Sequence, residues 1–232
     1  MPSLARAERR IAEVIAGSDV PEDPVHSRNT LEWLLRLDPK ADPALRIAAL
    51  GHDIERAVEA RKVRRGDFAD YDAFKAAHAR NSAAMLGGIL RECGVRDETL
   101  TREVHRLVCL HEVGGDLRSD LLVDADSLSY FDVNLPLYFK RNGWQETHRR
   151  CVWGYRRLSE RARSMAASLT WRGKELDDLM DEAIREAGVG VTTPASPPEA
   201  PPPRPAIGRA SDRAMSPRAR RLGRESQRSD RA

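Results

Sequence analysis

Strand-like alternation is missing along the whole of the 232-residue chain. Without period-two patterning a β-rich architecture has nothing to bury, so the expected fold is all-α. No apolar run approaches the roughly 20 residues that a membrane-spanning helix needs, and no membrane association is expected. Aromatic residues make up only 5% of the chain, whereas charged residues make up 32%, as suits a water-exposed helical protein. Cysteine is scarce too. Cys93, Cys109 and Cys151 are odd in number, far apart and without a C-x-x-C pair, which excludes a disulfide framework and points to reduced thiols in a cytoplasmic setting. Residues 1–17 contain no apolar stretch of the signal-peptide kind.

Bulk charge is also lacking where a folded core is expected. The net charge is +3, but residues 189–232 hold nine arginines against four acids. The remainder is nearly neutral, which gives no electrostatic reason for nucleic-acid binding by the core. That last segment holds eight of the 14 prolines and almost no large apolar side chains. Such a composition cannot offset the entropy of ordering. The expected organisation is therefore a helical domain over residues 1–188, followed by a disordered Pro/Arg-rich tail over 189–232. The tail's arginines suit an acidic partner or none.

Helix signals divide the rest. Ser3 stands as a cap for a helix to Ala16, with Leu4, Ile11, Val14 and Ile15 on its apolar stripe. Asp23-Pro24 and Asp42-Pro43 read as a capping residue followed by proline at the first helical position. The first of these helices runs to about Leu37, and the spacing puts His26 on the same side as Trp33, Leu34 and Leu37. In the second, Leu45, Ala48, Ala49 and His52 fall at i, i+3, i+4 and i+7, so His52 faces inward with Asp53 beside it. Arg61–Asp70 is a basic connection. Tyr71–Cys93 is helical, closed by Gly94, with Phe74, His78, Met85 and Leu86 on one face; Gly87-Gly88 inside it either weakens the helix or lets another backbone come close. Asp97 caps a helix whose stripe is Val104, Leu107, Val108 and His111. Leu117–Tyr130 carries Asp124 and Asp126, and Pro136 breaks or kinks the chain. Trp144–Leu169 and Trp171–Ala187 are two further helices. His105 and His148 read as surface or structural residues.

Four inward histidines and two inward aspartates on five successive helices are costly in an apolar core, at about 1–3 kcal/mol for each unpaired buried polar group. A metal ion satisfies them together, because it accepts imidazole nitrogen and carboxylate oxygen and offsets the buried charge. Asp126 is the expected final ligand. Asp124 lies about 200° round the helix from it and should face elsewhere.

The order His26, x25, His52-Asp53, x24, His78, x32, His111, x14, Asp126 resembles the HD-domain superfamily of metal-dependent phosphohydrolases. Leu50-Gly51-His52-Asp53-Ile54-Glu55-Arg56 is similar to that family's apolar-x-His-Asp-Ile-Gly-Lys segment, and Ala125-Asp126-Ser127-Leu128 to its Ala-Asp-Arg-Leu ending. The resemblance covers about Val25 to Tyr130. It implies a helical bundle of five core helices, here with added N- and C-terminal helices. It also implies that His26, His52, Asp53 and Asp126 match the ligands of the one-metal form, and that His78 and His111 are the extra pair of the two-metal form, with Asp53 bridging. Arg56 stands where relatives often carry a phosphate-binding cation. The chain departs from the pattern at Glu55, where a glycine is usual, and it lacks the Gly-Tyr-Pro signature of cyclic-dinucleotide phosphodiesterases.

The expected cofactors are two divalent transition metal ions: Mn, Fe, Co or Zn. The expected chemistry is hydrolysis of a phosphate ester such as a nucleotide, with Asp53 and Arg56 as catalytic residues. Arg56, Lys75, Arg80 and Arg118 are candidates to hold a small anionic substrate. Two alternatives keep the site. The same six ligands resemble the mixed-valent diiron oxygenases of the superfamily, and a non-catalytic, metal-stabilised sensor or scaffold needs only the fold.

Overall fold

The computed structural model describes residues 2–171 and 173–188. Among them are nine α-helices and no strand, as the patterning requires. They are α1 (Pro2–Ala16), α2 (Asp23–Leu37), α3 (Pro43–Gly51), α4 (Tyr71–Glu92), α5 (Glu98–Leu110), α6 (Leu117–Ser129), α7 (Leu135–Arg156), α8 (Glu160–Ala166) and α9 (Lys174–Gly188). The expected tail over 189–232 lies outside the described residues. No described helix is long and apolar enough to cross a membrane.

The core is built from one stripe per helix. Ile11, Leu34, Ile47, Leu86, Leu107, Leu122 and Leu128 are fully buried and come from α1 to α6 in turn. The helix α2 lies against α3 and α6, α5 against α3 and α4, and α7 against α9. Burial of these side chains stabilises the bundle by roughly 1.5–3 kcal/mol each before entropy is counted.

Capping fixes where several helices begin. The Asp42 carboxylate accepts from the Ala44 and Leu45 amides at 2.9 and 3.1 Å, so α3 starts at its expected place. Asp97 does the same for α5, accepting from Leu100 at 2.9 Å. Asp116 and Ser119 form a reciprocal capping box on α6. The start of α2 differs from expectation. Asp23 lies inside the first turn behind Glu22, and its carboxylate is taken by the Ser18 hydroxyl and by Arg56 instead of the helix amides.

Of the two readings of Gly87-Gly88, a close backbone approach is not there: a Cβ on Gly88 would meet nothing within 4 Å, and one on Gly87 only the Arg91 side chain. It occurs at Gly51 instead. A Cβ there would stand 2.5 Å from Leu86 Cδ2, so the end of α3 sits directly on the middle of α4. His52 and Asp53 leave α3 at this crossing.

Pro136 neither breaks nor ends the chain's helical course. Between α6 and α7 the ladder widens into a π-helical turn over Tyr130–Asn134, with the Leu135 amide bonding back to Tyr130. The Phe131 carbonyl in that turn accepts from Trp171 Nε1 at 2.9 Å. Gly143, at φ 74°, offsets the second half of α7, which then starts at Trp144 as expected. The expected single helix to Leu169 is divided, because Ser159 caps α8 and its own amide donates to Asp124 at 2.8 Å.

Candidate metal centre

Five helices deliver the six groups picked out by the sequence. His26 comes from α2, His52 and Asp53 from the end of α3, His78 from α4, His111 from the end of α5 and Asp126 from α6. All four histidines are buried. They fall into two trios, His26–His52–Asp126 and Asp53–His78–His111. Within each, one ligand atom per residue lies within 4.8 Å of the others, close enough to hold one metal ion.

The ring orientations are set from behind. His52 Nδ1 donates to the Ala49 carbonyl at 3.1 Å, and His111 Nδ1 to the Val108 carbonyl at 2.7 Å. His78 Nδ1 faces the Glu55 carboxylate at 2.5 Å. The Ser129 hydroxyl gives its proton to the His26 carbonyl, so it accepts from His26 Nδ1 at 2.9 Å. Each of these partners takes an N–H, which leaves every Nε2 with its lone pair directed inward.

Those lone pairs face carboxylates. His26 and His52 Nε2 lie 3.1 and 3.3 Å from Asp126 Oδ1. His78 and His111 Nε2 lie 2.8 and 3.7 Å from Asp53 Oδ1. His52 Nε2 is buried and makes no hydrogen bond. Acceptor facing acceptor repels unless a cation stands between, and a metal ion fits this donor set. A proton meets the same need. Burial lowers the His52 pKa, but Asp53 and Asp126 outweigh it and raise it to about 9. Burial likewise opposes protonation of His78, yet Asp53 and Glu55 lift it to about 10. His111 goes the other way, lowered by burial. Burial acts to raise Asp53 and Asp126, but the facing histidines, and Arg56 for Asp53, hold both well below the usual carboxylate range.

Arg56 clamps the edge of the centre. Its guanidinium reaches Asp53 Oδ2 at 2.9 Å and Asp23 Oδ1 at 3.1 Å. It also lines a cavity of about 310 Å³ onto which His26, Asp53, His78, His111 and Asp126 open. Lys75 lines the same cavity and pairs with Glu112 at 3.5 Å. Arg80 and Arg118 are not on that wall. Arg80 is exposed, and Arg118 is held by Asp42 and Glu103 at 2.7 and 2.8 Å. The Arg61–Arg65 cations do not line the cavity either; that loop is tied to the centre through the Val63 amide, which donates to Glu55 Oε2 at 2.7 Å. Asp124 faces away and caps α8 with Ser159.

The description "Domain of unknown function (DUF4202)" belongs to a family model that matches residues 5–179, more than half of the chain. The chain belongs to the DUF4202 family. All six centre residues lie inside the matched DUF4202 stretch, as do α7 and the cavity wall it forms. No curated protein and no solved structure matches the chain.

Sequence reasoning missed several groups of this DUF4202 site. Glu55 is one; it stood out only as a departure from a glycine, and here it orients His78. Glu112 is another, a buried-side neighbour of His111 that holds Lys75 and Arg157. Arg150 and Trp153 of α7, with Arg157 capping its end, complete the wall. Their i, i+3, i+7 spacing is the signal that places them on one helical face.

Proposed function

We propose that the protein is a metal-dependent phosphohydrolase of the HD type, using two divalent transition metal ions to hydrolyse a phosphate ester. One observation carries this reading: two histidine–carboxylate trios side by side at the floor of a cavity whose walls bring in Arg56, Lys75, Arg150 and Arg157. His26, His52 and Asp126 would hold one ion, and His78, His111 and Asp53 the other. Metal ions there supply Lewis acidity towards a phosphoryl oxygen and lower the pKa of water.

The chain's own residues do the rest. Arg56 fixes Asp53 by one arm and is itself fixed by Asp23, so the carboxylate between the trios cannot rotate away. Glu55, Ser129 and the two backbone carbonyls hold the imidazoles with Nε2 inward at all times, which removes reorganisation from the reaction. Lys75 and Arg157 attract and orient the phosphate. The aromatic rings of Tyr71, Phe74 and Trp153 on the same wall give it apolar surface beside these charges.

The test is a panel of phosphomonoesters, diesters and nucleotides with protein loaded with Mn²⁺, Fe²⁺, Co²⁺ or Zn²⁺. Phosphate release from at least one member is expected, together with loss of about a hundred-fold or more in Asp53→Ala. No release with any metal overturns the reading. Bound iron with a visible absorption band and no phosphatase activity would favour the oxygenase alternative.

A further inference from the structure

The α7 wall of the cavity holds more positive charge than the metal centre accounts for. Trp153 is ringed by three cations: Arg157 Cζ at 4.6 Å, Arg150 Cζ at 4.8 Å and Lys75 Nζ at 5.5 Å from the ring centroid. Glu112 neutralises part of this, reaching Lys75 at 3.5 Å and Arg157 at 3.7 Å. Arg150 has no ion pair among the described residues. Its guanidinium lies between the faces of Trp153 and Tyr130, the latter at 5.5 Å. Two more polar groups on this wall are without partners, the buried Tyr130 hydroxyl and the Asn134 side-chain oxygen. Burial raises the Tyr130 pKa well above its usual value, so the phenol stays a donor.

A stacked guanidinium with free N–H groups beside an unused hydroxyl donor is a receptor for an oxyanion. Two elements meet here: the π-helical turn holds Tyr130 and Asn134, and the second half of α7, beyond Gly143, brings Arg150. None of these groups belongs to the two trios.

We propose that Arg150, backed by Trp153 and assisted by Tyr130, binds a second anionic group of the substrate, so that the substrate is a small phosphate ester carrying a further carboxylate or phosphate. This rests on the phosphohydrolase reading for the first anion, which goes to the trios. The cavity volume of about 310 Å³ limits the spacer between the two groups to a few atoms.

The experiment is calorimetric titration of the Mn²⁺-loaded full chain with inert phosphonates, so it needs no turnover. Methylphosphonate carries one anionic group. 3-Phosphonopropionate adds a carboxylate, and propane-1,3-bisphosphonate adds a second phosphonate. The wild type is expected to bind at least one two-headed probe about ten-fold or more tightly than methylphosphonate. The better of the two identifies the second group as carboxylate or phosphate. Arg150→Met, which keeps the aliphatic stem over Trp153, should bring the ratio close to one. Tyr130→Phe should lower the ratio by a smaller factor with the ring packing intact. Equal affinities in the wild type, or a ratio that survives both substitutions, would overturn the proposal. If the ratio behaves as expected while no phosphate ester is hydrolysed, the anion subsite stands and the hydrolase reading fails.

Discussion

At the scale of single residues, the centre depends on which atom each side chain presents. Two aspartates on α6, two positions apart, show the difference. Asp126 faces His26 and His52, whereas Asp124 accepts from Ser159 and serves α8. Asp126→Ala should therefore lower metal content from about two ions per chain to one or none. Asp124→Ala should leave it near two and cost about 1 kcal/mol through the lost support of the α8 cap. Elemental analysis and thermal unfolding of both variants check this; the opposite pattern would exchange their roles. The residues that face the centre were legible because imidazole and carboxylate are costly on an apolar stripe, so their positions mark a site. Glu55 was not, because its carboxylate acts behind His78, and its value depends on a contact with α4 that chain order does not show.

At the scale of elements, helix starts are joined by charge. Arg118 at the start of α6 binds Asp42, the cap of α3, and Glu103 on α5; Arg106 on α5 binds Glu103 and Asp116, the cap of α6. Hydrogen bonds from Arg118 lower the Asp42 pKa, and those from Arg106 lower Glu103 and Asp116. A carboxylate with a depressed folded pKa stabilises above its unfolded value and loses that contribution as pH falls through the folded one. The network should thus be fully present above about pH 5 and fade below about pH 4. Arg118→Gln should unfold at a lower temperature than the wild type at pH 6, and the gap should narrow towards pH 3. Thermal scans of metal-free protein across that range test it, and a gap that widens in acid would assign Arg118 another role. Caps such as Asp42 and Asp97 could be read in advance, since Asp followed by a helical stripe acts locally. Asp23 misled for the opposite reason: Arg56, 33 positions on, took its carboxylate.

At the scale of the whole molecule, the all-α bundle followed from periodicity, but the cavity wall did not. Arg150 and Trp153 on α7 and Arg157 at its C-terminal cap lie on one face, and which way that face turns is decided by the π-helical turn and by Gly143. Both are tertiary outcomes that a helical pattern leaves open. The molecule's stability should also depend on bound metal. Chelation should lower the unfolding midpoint, corresponding to about 2.7 kcal/mol where free metal had stood a hundred-fold above its dissociation constant. Removing residues 189–232 should leave both the midpoint and the metal content nearly as they were. Loss of either on truncation, measured by thermal unfolding and elemental analysis, would show that the domain extends past Gly188.

The trio His26–His52–Asp126 joins residues 100 positions apart in the chain. Such a site cannot be complete until α2, α3 and α6 have docked. If its ligands come together late in folding, an ion bound there slows unfolding and leaves the folding rate nearly unchanged. Metal would then lengthen the life of each folded molecule without hastening its making.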